Sequence, residues 1–157
     1  MQELGYNYRL TDFQCALGIS QLKKIDKIIQ RRREIVQKYN CEFKDMPEIK
    51  IPQISPATSN PAWHIYIIQL NLKRLKVGRR EIFEALRAEN IGVNVHYIPV
   101  HLQPYYQKRY GYHLGDFTKA ENYYSRSITL PVFPKMSEKD VNDVIRAVKK
   151  VINYYKK

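Results

Sequence analysis

The sequence predicts an α+β fold in which a small antiparallel sheet carries helices on one face. Three observations lead there. Segments of helical apolar spacing stand behind capping signatures, two segments alternate as strands do, and the order runs helix, strand, helix, strand, short helix, short strand, helix. With 157 residues, 44% of them hydrophobic, and only 6 Gly and 8 Pro, the chain suits one folded unit.

The first helix opens where Thr11 and Gln14 have the spacing of a capping box, each side chain satisfying a backbone N–H that the helix leaves without a partner. Behind it Cys15, Gly18, Leu22, Ile25, Ile29, Val36 and Tyr39, with Arg32 as the one polar member, recur at three- and four-residue steps. That spacing predicts one continuous helix of about seven turns. Its other faces carry Lys23, Lys24, Lys27, Arg31, Arg33 and Lys38. Much of the net charge of +12 is therefore the solvated side of an amphipathic helix.

Residues 44–62 contain Pro47, Pro52, Pro56 and Pro61 among Ser, Thr and Asn, and read as a connector. "WHIYIIQLNL", 63–72, alternates and is rich in β-branched and aromatic residues, which makes it a strand. In "RREIFEALRAEN", 79–90, Ile82, Phe83 and Leu86 share a helical face and Asn90 is a stop signal. "GVNVHYIPVH" sets Val93, Val95 and Tyr97 on one side and Asn94, His96 and Ile98 on the other, a second strand running into a Pro-terminated loop. Thr118 with Glu121 repeats the capping pattern before a short helix, and "ITLPVFP" gives a brief strand. Ser137 with Asp140 opens the last helix, whose Val141, Val144, Ile145, Val148 and Ile152 fall at helical spacing.

Cys15 and Cys41, 26 positions apart with no CxxC and no neighbouring histidine, read as reduced and at least half-buried. No apolar run approaches the roughly 20 residues that a bilayer needs, and no signal-peptide architecture opens the chain, so a cytoplasmic protein without a membrane partner is expected. A positive balance attracts polyanions, and 13 tyrosines among basic side chains could stack on bases. No RNP, KH, zinc-finger or helix-turn-helix signature supports nucleic acid as the partner, and no Gly-rich phosphate loop is present.

Two stretches could carry chemistry. Tyr6, Asn7, Tyr8 and Arg9 precede the Thr11 cap, where an amide, a guanidinium and a helix start could hold a phosphate; alternatively Asn7 only shapes a turn. In "VHYIPVHLQPYY", 95–106, His96, Tyr97, His101, Tyr105 and Tyr106 occupy a strand end and the loop after it, a usual place for binding side chains. Metal is not expected there, because no carboxylate lies between residues 95 and 115. His64, behind Trp63 in the strand, reads as a core or interface histidine.

"ELGYNYRLTDFQCALGISQLKKID", "NIGVNVHYIPVHLQPYYQ" and "GYHLGDFTKAENYYSRSITLPVFPKMSEKDV" together resemble the C-terminal part of the DegT/DnrJ/EryC1/StrS sugar aminotransferases. The wording "VHYIPVHLQPYY" is most similar to the branch that aminates a UDP-linked 4-keto-6-deoxy-N-acetylhexosamine on the way to pseudaminic acid. The resemblance implies the C-terminal domain of a fold-type I enzyme using pyridoxal phosphate and glutamate as amino donor, working as a homodimer. It divides the chain into a YNYR loop with a long interface helix (1–43), a connector (44–62) and a C-terminal α+β domain (63–157). It further implies that Asn7 reaches the cofactor phosphate across the dimer interface, helped by Arg9, and that His96, Tyr97 and His101 line the sugar site. In this family the domain with the Schiff-base lysine lies upstream of YNYR, so that domain and every catalytic residue are expected to be missing here and the chain alone inactive. "GDFT" departs from the family's usual "GDFP", with Thr118 still expected to cap its helix. The reading from another class is a non-catalytic basic module that binds nucleic acid or a protein.

Overall fold

A computed structural model describes residues 5, 6, 8–55 and 59–157, and the account below concerns these. Six α-helices and three strands are found among them: α1 (Asp12–Leu22), α2 (Ile25–Phe43), β1 (Ile49–Lys50), β2 (Tyr66–Leu70), α3 (Arg79–Ala88), α4 (Pro104–Tyr110), α5 (Thr118–Tyr124), β3 (Ser127–Leu130) and α6 (Glu138–Tyr155). The sheet is antiparallel in the order β1-β2-β3, with Lys50 opposite Gln69 and with Ile67 opposite Thr129.

Strand alternation sorts the two faces of β2. Tyr66, Ile68 and Leu70 are buried against the helices, and Ile65, Ile67 and Gln69 look out from a face that the helices leave half-covered. The core joins that inner face to Ile35, Val36, Tyr39 and Phe43 of α2, Ile82 and Leu86 of α3, and the apolar stripe of α6. Tyr39 donates to the Pro131 carbonyl at 2.9 Å and Tyr66 to Asn40 Oδ1 at 2.8 Å, so both buried phenols are satisfied. Burial pushes both hydroxyls up from their ordinary value.

Several expectations need correction. The long helix is two helices: Lys24 N–H bonds the Gln21 carbonyl three residues back, its ψ of −2° turns the ladder, and α2 restarts at Ile25. No Gly or Pro marks that break, so the apolar spacing runs through it unchanged. Cys15 and Cys41 are both exposed free thiols. β2 begins three residues late, because Trp63 sits at φ 50°, outside extended backbone, and His64 beside it is exposed, so it is not a core histidine of this chain.

The second strand shrinks to a single bridge between Asn94 and Thr129. Asn94 Oδ1 takes the Val95 N–H at 2.7 Å, a local bond on the side of the segment turned away from β3. Within the connector, Ile49 and Lys50 pair with β2 as a two-residue strand. Thr118 does not cap α5: Phe117 holds the cap position without a side-chain bond, and the Glu121 carboxylate is engaged elsewhere. The boxes at Thr11–Gln14 and Ser137–Asp140 form with both reciprocal bonds.

Candidate functional site

The bridge at Asn94 decides where the histidine segment goes. Asn94 and Thr129 exchange both backbone hydrogen bonds, at 3.1 and 2.8 Å, which pins residues 93–96 beside β3. His96 then places Nδ1 3.0 Å from the Thr129 hydroxyl. Thr129 stands opposite Ile67, so His96 lies over the outward face of the sheet, the face opposite the core. The His96–Tyr97 peptide is cis, and Tyr97 beyond it is 68% exposed. A fixed imidazole beside a projecting phenol can bracket a polar ligand, one ring by hydrogen bonding and one by stacking.

Pro99 is buried and turns the chain inward, so His101 is only 7% exposed. Its Nε2 stands 2.8 Å from Glu121 Oε1; an ionised carboxylate only accepts, so Nε2 carries the proton. Glu121 also accepts from the backbone N–H groups of Gly115 (2.9 Å) and Phe117 (3.2 Å). Burial works to raise this carboxyl, but the Gly115, His101 and Phe117 donors together hold it below its ordinary value. Around the pair runs a chain of rings, Tyr106, Tyr110, Tyr112 and Phe117, with successive centroids 5.3–6.2 Å apart and His101 4.6 Å from Phe117. They line a hollow of about 520 Å³.

His96 thus stands on the outward face and Tyr97, next in the chain, is exposed, whereas His101 is committed inward to Glu121. The sequence reading missed the part played by Glu121, because it saw a helix signal in the pairing with Thr118. Asn7 lies outside the described residues. Beside it Tyr6 and Tyr8 are exposed with ring centroids 5.6 Å apart, Arg9 is exposed, and no carboxylate among the described residues pairs with Arg9. An uncommitted guanidinium next to phenols is a donor set that suits a phosphate, which fits the cofactor group that the resemblance implies.

Among the described residues no group of three His, Cys, Asp or Glu could hold a metal ion, and no helix is long and apolar enough to cross a membrane.

Residues 1–149 match the DegT/DnrJ/EryC1/StrS aminotransferase family. The chain is 44% identical over 149 residues to the spore coat polysaccharide biosynthesis protein SpsC of Bacillus subtilis, covering 94% of this chain and 38% of that protein, and 36% identical over 159 residues to the UDP-4-amino-4,6-dideoxy-N-acetyl-beta-L-altrosamine transaminase of Campylobacter jejuni, covering all of this chain and 41% of that protein. Its fold superposes on Helicobacter pylori PseC, an aminotransferase involved in the biosynthesis of pseudaminic acid, with TM-score 0.85 and 29% identity over 98% of this chain and 40% of that one. It also superposes on the PLP form of Spr1654 from Streptococcus pneumoniae, assigned as a sugar aminotransferase, with TM-score 0.84 and 30% identity over 93% and 36% of the two chains. The chain therefore spans about two fifths of the length of the relatives it matches, their C-terminal part.

Proposed function

This chain belongs to the DegT/DnrJ/EryC1/StrS aminotransferase family, and on that premise we propose that it is the C-terminal part of a pyridoxal-phosphate enzyme acting on a nucleotide sugar. The reaction moves an amino group from glutamate to the C4 ketone of a UDP-linked 4-keto-6-deoxy-N-acetylhexosamine. The observation that carries this reading is His96, pinned to Thr129 on the outward face of the sheet with the exposed Tyr97 next to it. The pseudaminic acid pathway named for one solved relative, and the altrosamine named for another, support the substrate class.

Pyridoxal phosphate, when bound, supplies the electron sink for the amine transfer. The Schiff-base lysine belongs to the remaining three fifths of the family's length, so this chain contributes binding and orientation. Asn7 and Arg9 would hold the cofactor phosphate of the neighbouring subunit in a homodimer. His96 and Tyr97 orient the sugar, and His101, tied to Glu121, sets the loop that presents them. The enzyme works in the cytoplasm, where UDP-sugars and glutamate are at hand.

The test is amino transfer by this chain joined to the cofactor-bearing part of the Campylobacter transaminase. The joined protein is expected to aminate the 4-keto sugar with glutamate. Replacing His96 with Ala should lower kcat/KM by about tenfold or more, the cost of one positioned hydrogen bond in the site. A folded, cofactor-loaded protein that aminates no nucleotide sugar would contradict the proposal.

A further inference from the structure

Residues 73–80, KRLKVGRR, hold five cations before the first carboxylate, Glu81. The fold joins the front of this run to the far end of α6. Past a 3-10 turn, Leu72–Arg74, Leu75 takes extended backbone, as Lys156 does past α6, and the two form an antiparallel bridge. Lys76 N–H donates to the Tyr155 carbonyl at 2.9 Å and Lys157 N–H to the Arg74 carbonyl at 3.1 Å.

Residues paired across such a bridge send their side chains to one side, and their neighbours send theirs to the other. Leu75 is buried, and Lys156 opposite it reaches the buried Glu48 carboxylate at 3.2 Å. Arg74, Lys76 and Lys157 therefore point the other way, into solvent, and Lys73 is exposed next to them. Tyr154, 75% exposed, adds a phenol to the same end of the molecule.

These cations differ from those on the adjoining helix. Within α6 each Lys or Arg has a carboxylate partner: Lys139 and Arg146 share Asp143, Lys149 meets Glu42 and Lys150 meets Glu89. Among the described residues no carboxylate pairs with Lys73, Arg74, Lys76 or Lys157. The dipole of α6 favours cations at its carbonyl end, which accounts for part of this charge. It does not account for Lys73, Arg74 and Lys76, which another segment brings there. Like charges gathered without partners repel one another, and an anionic partner relieves that cost.

We propose that this end of the protein docks on an anionic membrane surface, with Lys73, Arg74, Lys76 and Lys157 among the lipid headgroups and Tyr154 at their rim. None of the five principal hollows of the molecule is lined by these residues, so a small anion finds no cradle among them. Lys and Arg lay their apolar stems against an interface while their charged ends stay in its polar layer, and a phenol suits the same depth. Tyr154 and Tyr155 stand edge to face at 84°, so they offer no parallel platforms for successive bases of a single strand. Adhesion of this kind requires no helix that crosses the bilayer.

Vesicle binding is measured without any amino transfer, so its outcome is separate from that of the proposed reaction. The full chain would be floated with vesicles of phosphatidylcholine alone and of phosphatidylcholine with phosphatidylserine added. Binding is expected only where phosphatidylserine is present, and it should fall steeply as salt rises. The Lys73→Gln, Arg74→Gln, Lys76→Gln variant should partition roughly a hundredfold less, since each basic side chain near an anionic surface is worth roughly fivefold. Those three side chains make no bond among the described residues, so the melting temperature should not move. The matched variant Lys23→Gln, Lys24→Gln, Lys27→Gln removes the same charge from around the start of α2 and should lower partitioning by less than about threefold.

Equal losses in the two variants would show that net charge alone attracts the chain and would overturn the docking surface. Equal binding to both kinds of vesicle would mark the exposed Phe13 and Leu17 of α1 as the contact and would overturn it too, as would no binding to either. A single-stranded RNA that displaces the vesicles at matched phosphate concentration, and loses its own binding in the first variant, would assign the patch to nucleic acid instead.

Discussion

The helices α1 and α6 begin alike and end differently. Each starts on a reciprocal capping box, with Thr11 and Gln14 in one and Ser137 and Asp140 in the other. Yet α6 buries Val141, Val144, Ile145, Ala147, Val148, Val151 and Ile152, whereas α1 has no buried residue. Phe13 is 83% exposed and Leu22 68%, and Leu10, Leu17 and Ile19 are exposed with them. A cap decides where a helix begins and is worth about 1 kcal/mol. Most of a helix's stability in a protein comes from packing its apolar face, and α1 has no partner for that face within the described residues.

The largest expected contrast is between two phenylalanines. Phe43, at the end of α2, is fully buried and stacks on Tyr39 at 5.7 Å. Phe43→Ala should lower the unfolding free energy by about 3–5 kcal/mol, read in denaturant melts. Phe13→Ala should change it by less than about 0.5 kcal/mol. Equal losses would mean that α1 packs on this chain after all.

A smaller contrast lies in the caps. Ser137→Ala should cost about 1 kcal/mol of global stability, because α6 is part of the cooperative core. Thr11→Ala should leave the global midpoint in place and reduce only local order at the start of α1. A shared midpoint shift would show that the two helices unfold as one unit.

The smallest contrast is in pH. The Ser137 side chain and its backbone N–H hold the Asp140 carboxyl below its ordinary value of 3.8, whereas Gln14 does not titrate. A carboxyl lowered by folding stabilises fully above its ordinary value and loses that contribution as pH falls through its folded value. Acidification below 3.8 should therefore loosen the first turn of α6 and spare that of α1. Glu121, held below its ordinary 4.5 by the Gly115, His101 and Phe117 donors against the opposing effect of burial, should release its loop in the same direction. Amide shifts of Thr11, Phe117 and Ser137 followed through an acid titration measure all three sites. An acid response at Thr11 matching that at Ser137 would break the distinction.

The same comparison explains what could be seen in the sequence. Capping boxes are local, so those at Thr11 and Ser137 were legible from four residues each. Apolar spacing shows that a face needs cover, but not which chain supplies it; hence Cys15 was placed in a core that this chain does not provide. β2 and the α6 stripe were legible because their partners are on this chain. The second strand was not, because the alternation of residues 93–98 persists although only Asn94 pairs with β3. At the site, the resemblance pointed to His96 and Tyr97. The Thr129 anchor on His96 and the Glu121 tie on His101 arise from contacts 33 and 20 residues apart in the sequence, which no local pattern encodes.

Amide hydrogen exchange along α1 tests most directly the claim that this helix and the tyrosine loop before it serve a surface beyond the chain. In the chain alone at low concentration, α1 amides should exchange orders of magnitude faster than those of α6. Joined to a cofactor-bearing partner part, α1 should gain protection approaching that of α6. Strong protection of α1 in the dilute chain, or none in the joined enzyme, would contradict the account.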